Sequence, residues 1–303
     1  MDVLNFKFFY TIPYLWVLCF LIMRRSFCFS LLVFSFSLAY TTQGQGFGSQ
    51  FNNRGFGKPV QQQDDGFTNI AEATNQTINH YREGKWIIYI TADNRQTEDT
   101  AKAAFYSLRT YRHDTLNGHI HTYFKGGKLK NDMYYVNGLE NGHEHDYYEN
   151  GQLKINATVL NGKVDGTLTE YYDNGNLKQV LNYKNGLKDG PATTYYQDGK
   201  VDVVSAFVDD QQSGVTKEYY ESGVLESEKN SVNGKTEGLV KIYYQSGKIF
   251  QEAYYVNGQP NGLLKNYFET GVVKETVMYT NGTMGLSTEY NEDGTVNHTI
   301  PGN

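Results

Sequence analysis

The stretch Tyr147-Tyr148-Glu149-Asn150-Gly151-Gln152-Leu153-Lys154 returns 24 residues later as Tyr171-Tyr172-Asp173-Asn174-Gly175-Asn176-Leu177-Lys178. The echo extends both ways. Aromatic pairs stand at Tyr123-Phe124, Tyr147-Tyr148, Tyr171-Tyr172, Tyr195-Tyr196, Tyr219-Tyr220, Tyr243-Tyr244 and Tyr267-Phe268, always 24 residues apart. Glycines keep the same step before each pair, from Gly118 to Gly262, and after it, from Gly127 to Gly271. Asn-Gly recurs at 137–138, 161–162, 185–186, 233–234, 257–258 and 281–282, with Asp209-Asp210 in the gap. A fixed period of this length is the signature of a repeat architecture, in which each unit buries its surface against its neighbours.

The phase holds to the C-terminus, where the last unit is one residue shorter and Tyr290 arrives after 23. At the other end a divergent unit starts at Gly84-Lys85-Trp86 and carries an insertion at 91–102. The expected organisation is a leader at 1–39, a Gly/Gln-rich linker at 40–80, a divergent first repeat at 81–117 and a repeat array at 118–303.

Each unit contains two short runs rich in Tyr, Val, Thr and Leu, divided by Asn-Gly, Asp-Gly, Ser-Gly, Thr-Gly or Gly-Gly. That is the signal of a two-residue hairpin, whose type I′ turn needs positive φ at both central positions. Such pairing across Asn150-Gly151 sets Tyr148 opposite Leu153 and Tyr147 opposite Lys154. A second bend, as in Asn185-Gly186-Leu187-Lys188-Asp189-Gly190, joins successive hairpins. The predicted fold is all-β: an elongated single-layer antiparallel sheet, a β-solenoid of 24-residue hairpins.

Side chains alternate between the faces of a strand. The predicted apolar face carries the second aromatic of each pair, the aliphatic after the turn (Leu129, Leu153, Leu177) and, further along, Tyr135, Val159, Tyr183 and Phe207. The opposite face takes the first tyrosines with Lys130, Lys154, Lys178, Asn156 and Asn182. No long amphipathic helix remains in the sequence to cover the apolar face. It must curl into a trough, pair with a second copy or hold a partner.

The pattern x-x-Tyr-Tyr-x-x-Gly-x-Leu-Lys … Tyr-x-Asn-Gly-x-x-Asp-Gly resembles the MORN repeat in its bacterial variant form, over about residues 118–300 and weakly from 84. The units at 166–190 and 190–214 carry it best. The resemblance implies a hairpin solenoid used for protein–protein contact or scaffolding, sometimes at a membrane. It also implies an antitoxin or immunity role in some members. The insertion at 91–102, Asp209-Asp210 and the scarcity of Trp depart from the pattern.

Composition agrees. The 303 residues include 26 Tyr, 17 Phe and 31 Gly, too aromatic for a disordered chain. A net charge of −6 argues against nucleic acid as partner. Met23-Arg24-Arg25 precedes an apolar run from Phe27 to Ala39, as in a secretory signal peptide read from Met23. The expected location is therefore secreted, periplasmic or cell-envelope. Both cysteines, Cys19 and Cys28, fall within the leader. Without residues 1–39, 24 basic and 32 acidic residues remain, a balance of −8, which an anionic membrane repels. Membrane contact is expected only through an uncleaved leader. The sequons at Asn75, Asn156, Asn281 and Asn297 matter only in a eukaryotic secretory route.

The search for chemistry finds little. His119 and His121 recur as His143 and His145, and residues i and i+2 on a strand share a face. They invite a Zn or Cu reading, completed by Asp or Glu. Equivalent positions in neighbouring hairpins lie about 9–10 Å apart, too far to share one ion, and the expectation is no metal and no cofactor. Nucleophile-elbow, Walker and Rossmann patterns are absent, so the chain reads as no enzyme. The expected binding surface is the two tyrosine rows: Tyr123, Tyr147, Tyr171, Tyr195, Tyr219, Tyr243 and Tyr267, with Phe124, Tyr148, Tyr172, Tyr196, Tyr220, Tyr244 and Phe268. These rows serve sheet stability, docking of a protein, or stacking on sugars. Another protein is the expected partner, a homodimer is open, and a carbohydrate or cell-wall binding module is the alternative.

Overall fold

The computed structural model describes residues 67–302. They form one open antiparallel sheet of 25 strands, in which each long strand pairs with the long strands next to it along the chain and each two-residue strand pairs only with the strand before it. The only helical turn among the described residues is a 3-10 turn at Ile70–Glu72. The all-β repeat sheet is thus what the chain forms. The leader, both cysteines and the linker up to residue 66 lie outside the described residues. The stretch expected as linker to residue 80 is folded from Phe67 onward. Thr74 and Asn75 donate their backbone N–H groups to the Lys85 carbonyl, at 2.8 and 3.1 Å, and Gln76–Ile78 pairs with Tyr81–Ile90. The insertion at 91–102 adds a small hairpin, with Gln96–Thr97 set against Tyr89 and Ile90.

One unit shows the local logic. Strand Gly142–Tyr147 turns into Leu153–Leu160, and a second turn leads through Lys163–Val164 to Gly166–Tyr171. The two turns differ in kind. Asn161 and Gly162 have φ of 53° and 75° between the paired Leu160 and Lys163, which is the two-residue I′ geometry. Asp209 and Asp210 take φ of 47° and 65° in the same role. Asp tolerates the left-handed region better than most residues, so the departure from Asn-Gly leaves the turn intact.

The turn at Asn150-Gly151 is not the expected I′ turn. Gly151 N–H donates to the Tyr148 carbonyl at 2.8 Å and Tyr148 N–H to the Gln152 carbonyl at 2.8 Å. Glycine alone takes positive φ there, at 93°, and the Asn150 side chain accepts from Gln152 N–H at 2.9 Å. This is a type I turn closed by a left-handed glycine. A bulge follows, so Tyr147 opposes Leu153, not Lys154, and Asp146 opposes Ile155.

That slip corrects the expected faces. Lys154 was expected on the face opposite Tyr148, but its ammonium lies over the Tyr148 ring, 5.7 Å from the centroid. Lys178 reaches Glu170 at 2.9 Å on the same side. In a strand, one extra residue inverts which side chain faces which way. We call the side bearing Tyr148 and its equivalents the staple face, and the side bearing Tyr147 and its equivalents the ladder face.

The staple face earns its label from five bonds. The phenols of Tyr148, Tyr172, Tyr196, Tyr220 and Tyr244 donate to the backbone carbonyls of Tyr171, Tyr195, Tyr219, Tyr243 and Tyr267. Each links one unit to the next, 23 residues on. On the other edge the I′ turns stack through backbone bonds, such as Gly162 N–H to the Glu140 carbonyl at 2.8 Å and Gly186 N–H to the Val164 carbonyl at 2.9 Å.

The core is a row of small side chains along the middle of the staple face: Ala157, Leu181, Ala192, Ser205, Thr216, Ala253, Val277 and Ser287, all buried. Directly opposed pairs such as Leu181–Ala192, Ala192–Ser205 and Val277–Ser287 make it continuous across strands. No second layer covers it among the described residues. Small residues let the flanking side chains of the same sheet close over them, so burial is reached within a single layer.

Candidate interaction surface and histidine cluster

On the ladder face the middle row of the C-terminal units alternates in charge. Lys217 opposes Glu228, Glu228 opposes Lys241, Lys241 opposes Glu252, and Glu252 opposes Lys265. Lys265 stands 3.4 Å from Glu252, and Lys241 4.0 Å from Glu228. The first tyrosines serve this row. Tyr243 donates its phenol to Glu228 at 3.2 Å, and Tyr267 to Glu252 at 2.5 Å. Burial, then the bond to Glu252, pushes the Tyr267 phenol up to about 12. The bond from Tyr267 in turn holds the Glu252 carboxyl below its ordinary range. The three lysines and two glutamates leave the row with one net positive charge.

Beside it runs an apolar stripe. Leu239 opposes Tyr254 and Leu263 opposes Met278, with Val215 before them and Leu286 beyond. These six side chains are 43% to 55% exposed. Val215, Leu239 and Leu263 follow the 24-residue step, and that signal was open to sequence reading. It was missed because the exposed apolar surface was expected on the other face.

The expected binding residues are divided between the two faces and form no single surface. Tyr148, Tyr172, Tyr196, Tyr220 and Tyr244 spend their hydroxyls on backbone carbonyls of the next unit. Phe124 meets Phe105 edge-on at 5.9 Å, and Phe268 lies under Lys274. Tyr123 stacks on Tyr106 at 5.0 Å. Tyr147, Tyr171, Tyr195 and Tyr219 stand on the ladder face opposite Leu153, Leu177, Val201 and Leu225.

The histidines sit at the other end of the ladder face. His119 and His121 lie on strand Thr115–Phe124, and Asp132 opposes His121 on strand Leu129–Val136. His119 Nδ1 is 3.1 Å, and His121 Nε2 3.4 Å, from the same Asp132 Oδ1. The imidazoles are parallel, 5.3 Å apart. His121 Nδ1 is 3.1 Å from the carbonyl oxygen of Phe67, a fully buried residue. The second pair differs. His143 and His145 oppose Thr158 and Asn156, and Asp132 lies between His121 and His145. The two pairs are therefore two strands apart, as the repeat step requires.

Residues 164–185, 212–233, 236–257 and 260–281 match the family described as MORN repeat variant. The stretch between the first two matches, with Asp209-Asp210, folds as its neighbours do. No curated protein matches the chain. Repeats of this family are generally protein- and membrane-interaction repeats and typically carry no catalysis.

Proposed function

This chain is built of MORN-variant repeats, and we propose that it is a non-catalytic platform that docks another protein on its ladder face. The observation that carries this reading is the stripe Val215, Leu239, Tyr254, Leu263, Met278 and Leu286, exposed on one face of the sheet. Contiguous apolar surface rimmed by polar groups marks contact sites. The ladder Lys217–Glu228–Lys241–Glu252–Lys265 forms one such rim and, with a single net positive charge, asks for no highly charged partner. A net charge of −6 disfavours nucleic acid and anionic lipid. The occupant is a protein presenting its own apolar row, matched to sites about 9–10 Å apart. We place the docking outside the cytoplasm, by way of the leader read from Met23, with immunity-like neutralisation of a partner as one form of it.

The test is size-exclusion chromatography with light scattering on the full chain, alone and with a cell-envelope extract, for wild type and for Leu239→Glu with Leu263→Glu. A monomer that retains one protein stoichiometrically, and loses it in the double variant, supports the reading. A homodimer that captures nothing and dissociates in the variant gives the stripe to a second copy and overturns it. Retention on insoluble glycan that both proteins share favours the carbohydrate reading instead.

A further inference from the structure

We propose that His119, His121 and Asp132 form a binding site for a divalent transition-metal ion of the zinc class, which ties the segment at Phe67 to the start of the repeat sheet. One donor atom from each of the three residues lies within 4.8 Å of the other two. A carbonyl oxygen only accepts, so the contact of His121 Nδ1 with Phe67 fixes the ring proton on Nδ1. His121 Nε2 then points at Asp132 Oδ1, 3.4 Å away. A bare imidazole nitrogen and a carboxylate oxygen are both acceptors. Something positive belongs between them, either a second ring proton or a metal ion.

The geometry favours the ion. His119 Nδ1 converges on the same oxygen at 3.1 Å. Ligands about 2.0–2.1 Å from a tetrahedral zinc stand about 3.3 Å from one another, and the two measured separations bracket that value. A backbone carbonyl on the far nitrogen is the usual support of a metal-bound histidine, since it fixes tautomer and ring orientation. Both imidazoles are 11% exposed, and the strand holds them at a fixed spacing. Imidazole and carboxylate donors suit zinc and its neighbours better than calcium or magnesium.

The chain carries its own control. His143 and His145 repeat the spacing, but they face Thr158 and Asn156 across the hairpin, and Asn156 brings no anionic oxygen. Asp132 opposes His145 on its other side as well, but its Oδ1 contacts are with His119 and His121, and these contacts, with the Phe67 carbonyl, distinguish the first pair.

The experiment strips the full chain with a chelator and titrates it with Co2+, read by its visible ligand-field bands, and with Zn2+, read by calorimetry. The expected result is one ion per chain. Asp132→Asn and His121→Gln each weaken binding more than the about 100-fold typical of losing a supporting group, and His143→Gln leaves it unchanged. Circular dichroism of Asp132→Asn, a near-isosteric change, separates lost binding from lost folding. Added Zn2+ raises the melting temperature of wild type and not of Asp132→Asn. Failure to bind one ion shows a proton-bridged pair only and overturns the site. Binding that survives Asp132→Asn, or that His143→Gln removes, overturns it as well.

Discussion

Glu140 sits half-buried on the staple face, opposite Tyr135 and close to Glu144 and Asp146. Burial, and then the two neighbouring carboxylates, push its carboxyl from 4.5 up to about 7. The folded chain therefore holds this proton more tightly than the unfolded chain does. The stability tied to it is fully present below 4.5 and is lost as pH rises through about 7. Glu140→Gln removes the effect. Urea midpoints across that window should show wild type losing stability relative to the variant, which becomes the more stable above it; parallel curves would remove Glu140 as the cause. Single residues were also where sequence reading stopped short. The spacing of His119 and His121 was plain. Asp132 joins them only through the hairpin register, and Phe67 arrives from 54 residues away. No local pattern announces either.

Between elements, the tyrosine staple does the joining. Tyr196→Phe keeps the ring and deletes one hydroxyl that donates to the Tyr219 carbonyl. The expected loss is roughly 0.5–1.5 kcal/mol, seen as a lower urea midpoint with an unchanged slope. The sequence already shows that the position accepts phenylalanine, at Phe124 and Phe268. An unchanged midpoint would mean that the carbonyl finds water as good a partner. At this scale the strands and both turn positions were legible, because glycine and asparagine punctuate every unit. The turn types were not. Asn-Gly occurs in both, and only the hydrogen bonds show that Tyr148-Glu149-Asn150-Gly151 closes with glycine alone at positive φ. The bulge after it then moved the lysines, and with them the polarity of each face.

Across the whole array, stability is a sum over units and their interfaces. Deleting residues 190–213 removes one period of 24 and hands the Tyr172 phenol the Tyr219 carbonyl in place of that of Tyr195. The shortened chain should fold cooperatively, with the β signal kept and a urea slope reduced in proportion to the lost surface. Loss of the β signal would show that unit to be indispensable. The fold was legible here because the 24-residue period left no other reading. How the apolar face is covered was not, since it rests on the smallness of Ala157, Ala192, Thr216 and Ala253, and size along a row emerges only once strands are in register.

The serial pairing of strands has a mechanical consequence. The ladder of each long strand runs only to the long strands next to it along the chain, so tension applied through the two ends of the sheet opens one row of hydrogen bonds at a time, together with the staple that crosses it. The array yields like a zipper, not like a clasp under shear. Each yielding unit releases about 80 Å of extended chain, in equal instalments, while the units still closed keep their geometry. A protein held on part of such an array can be placed under load elsewhere without being let go.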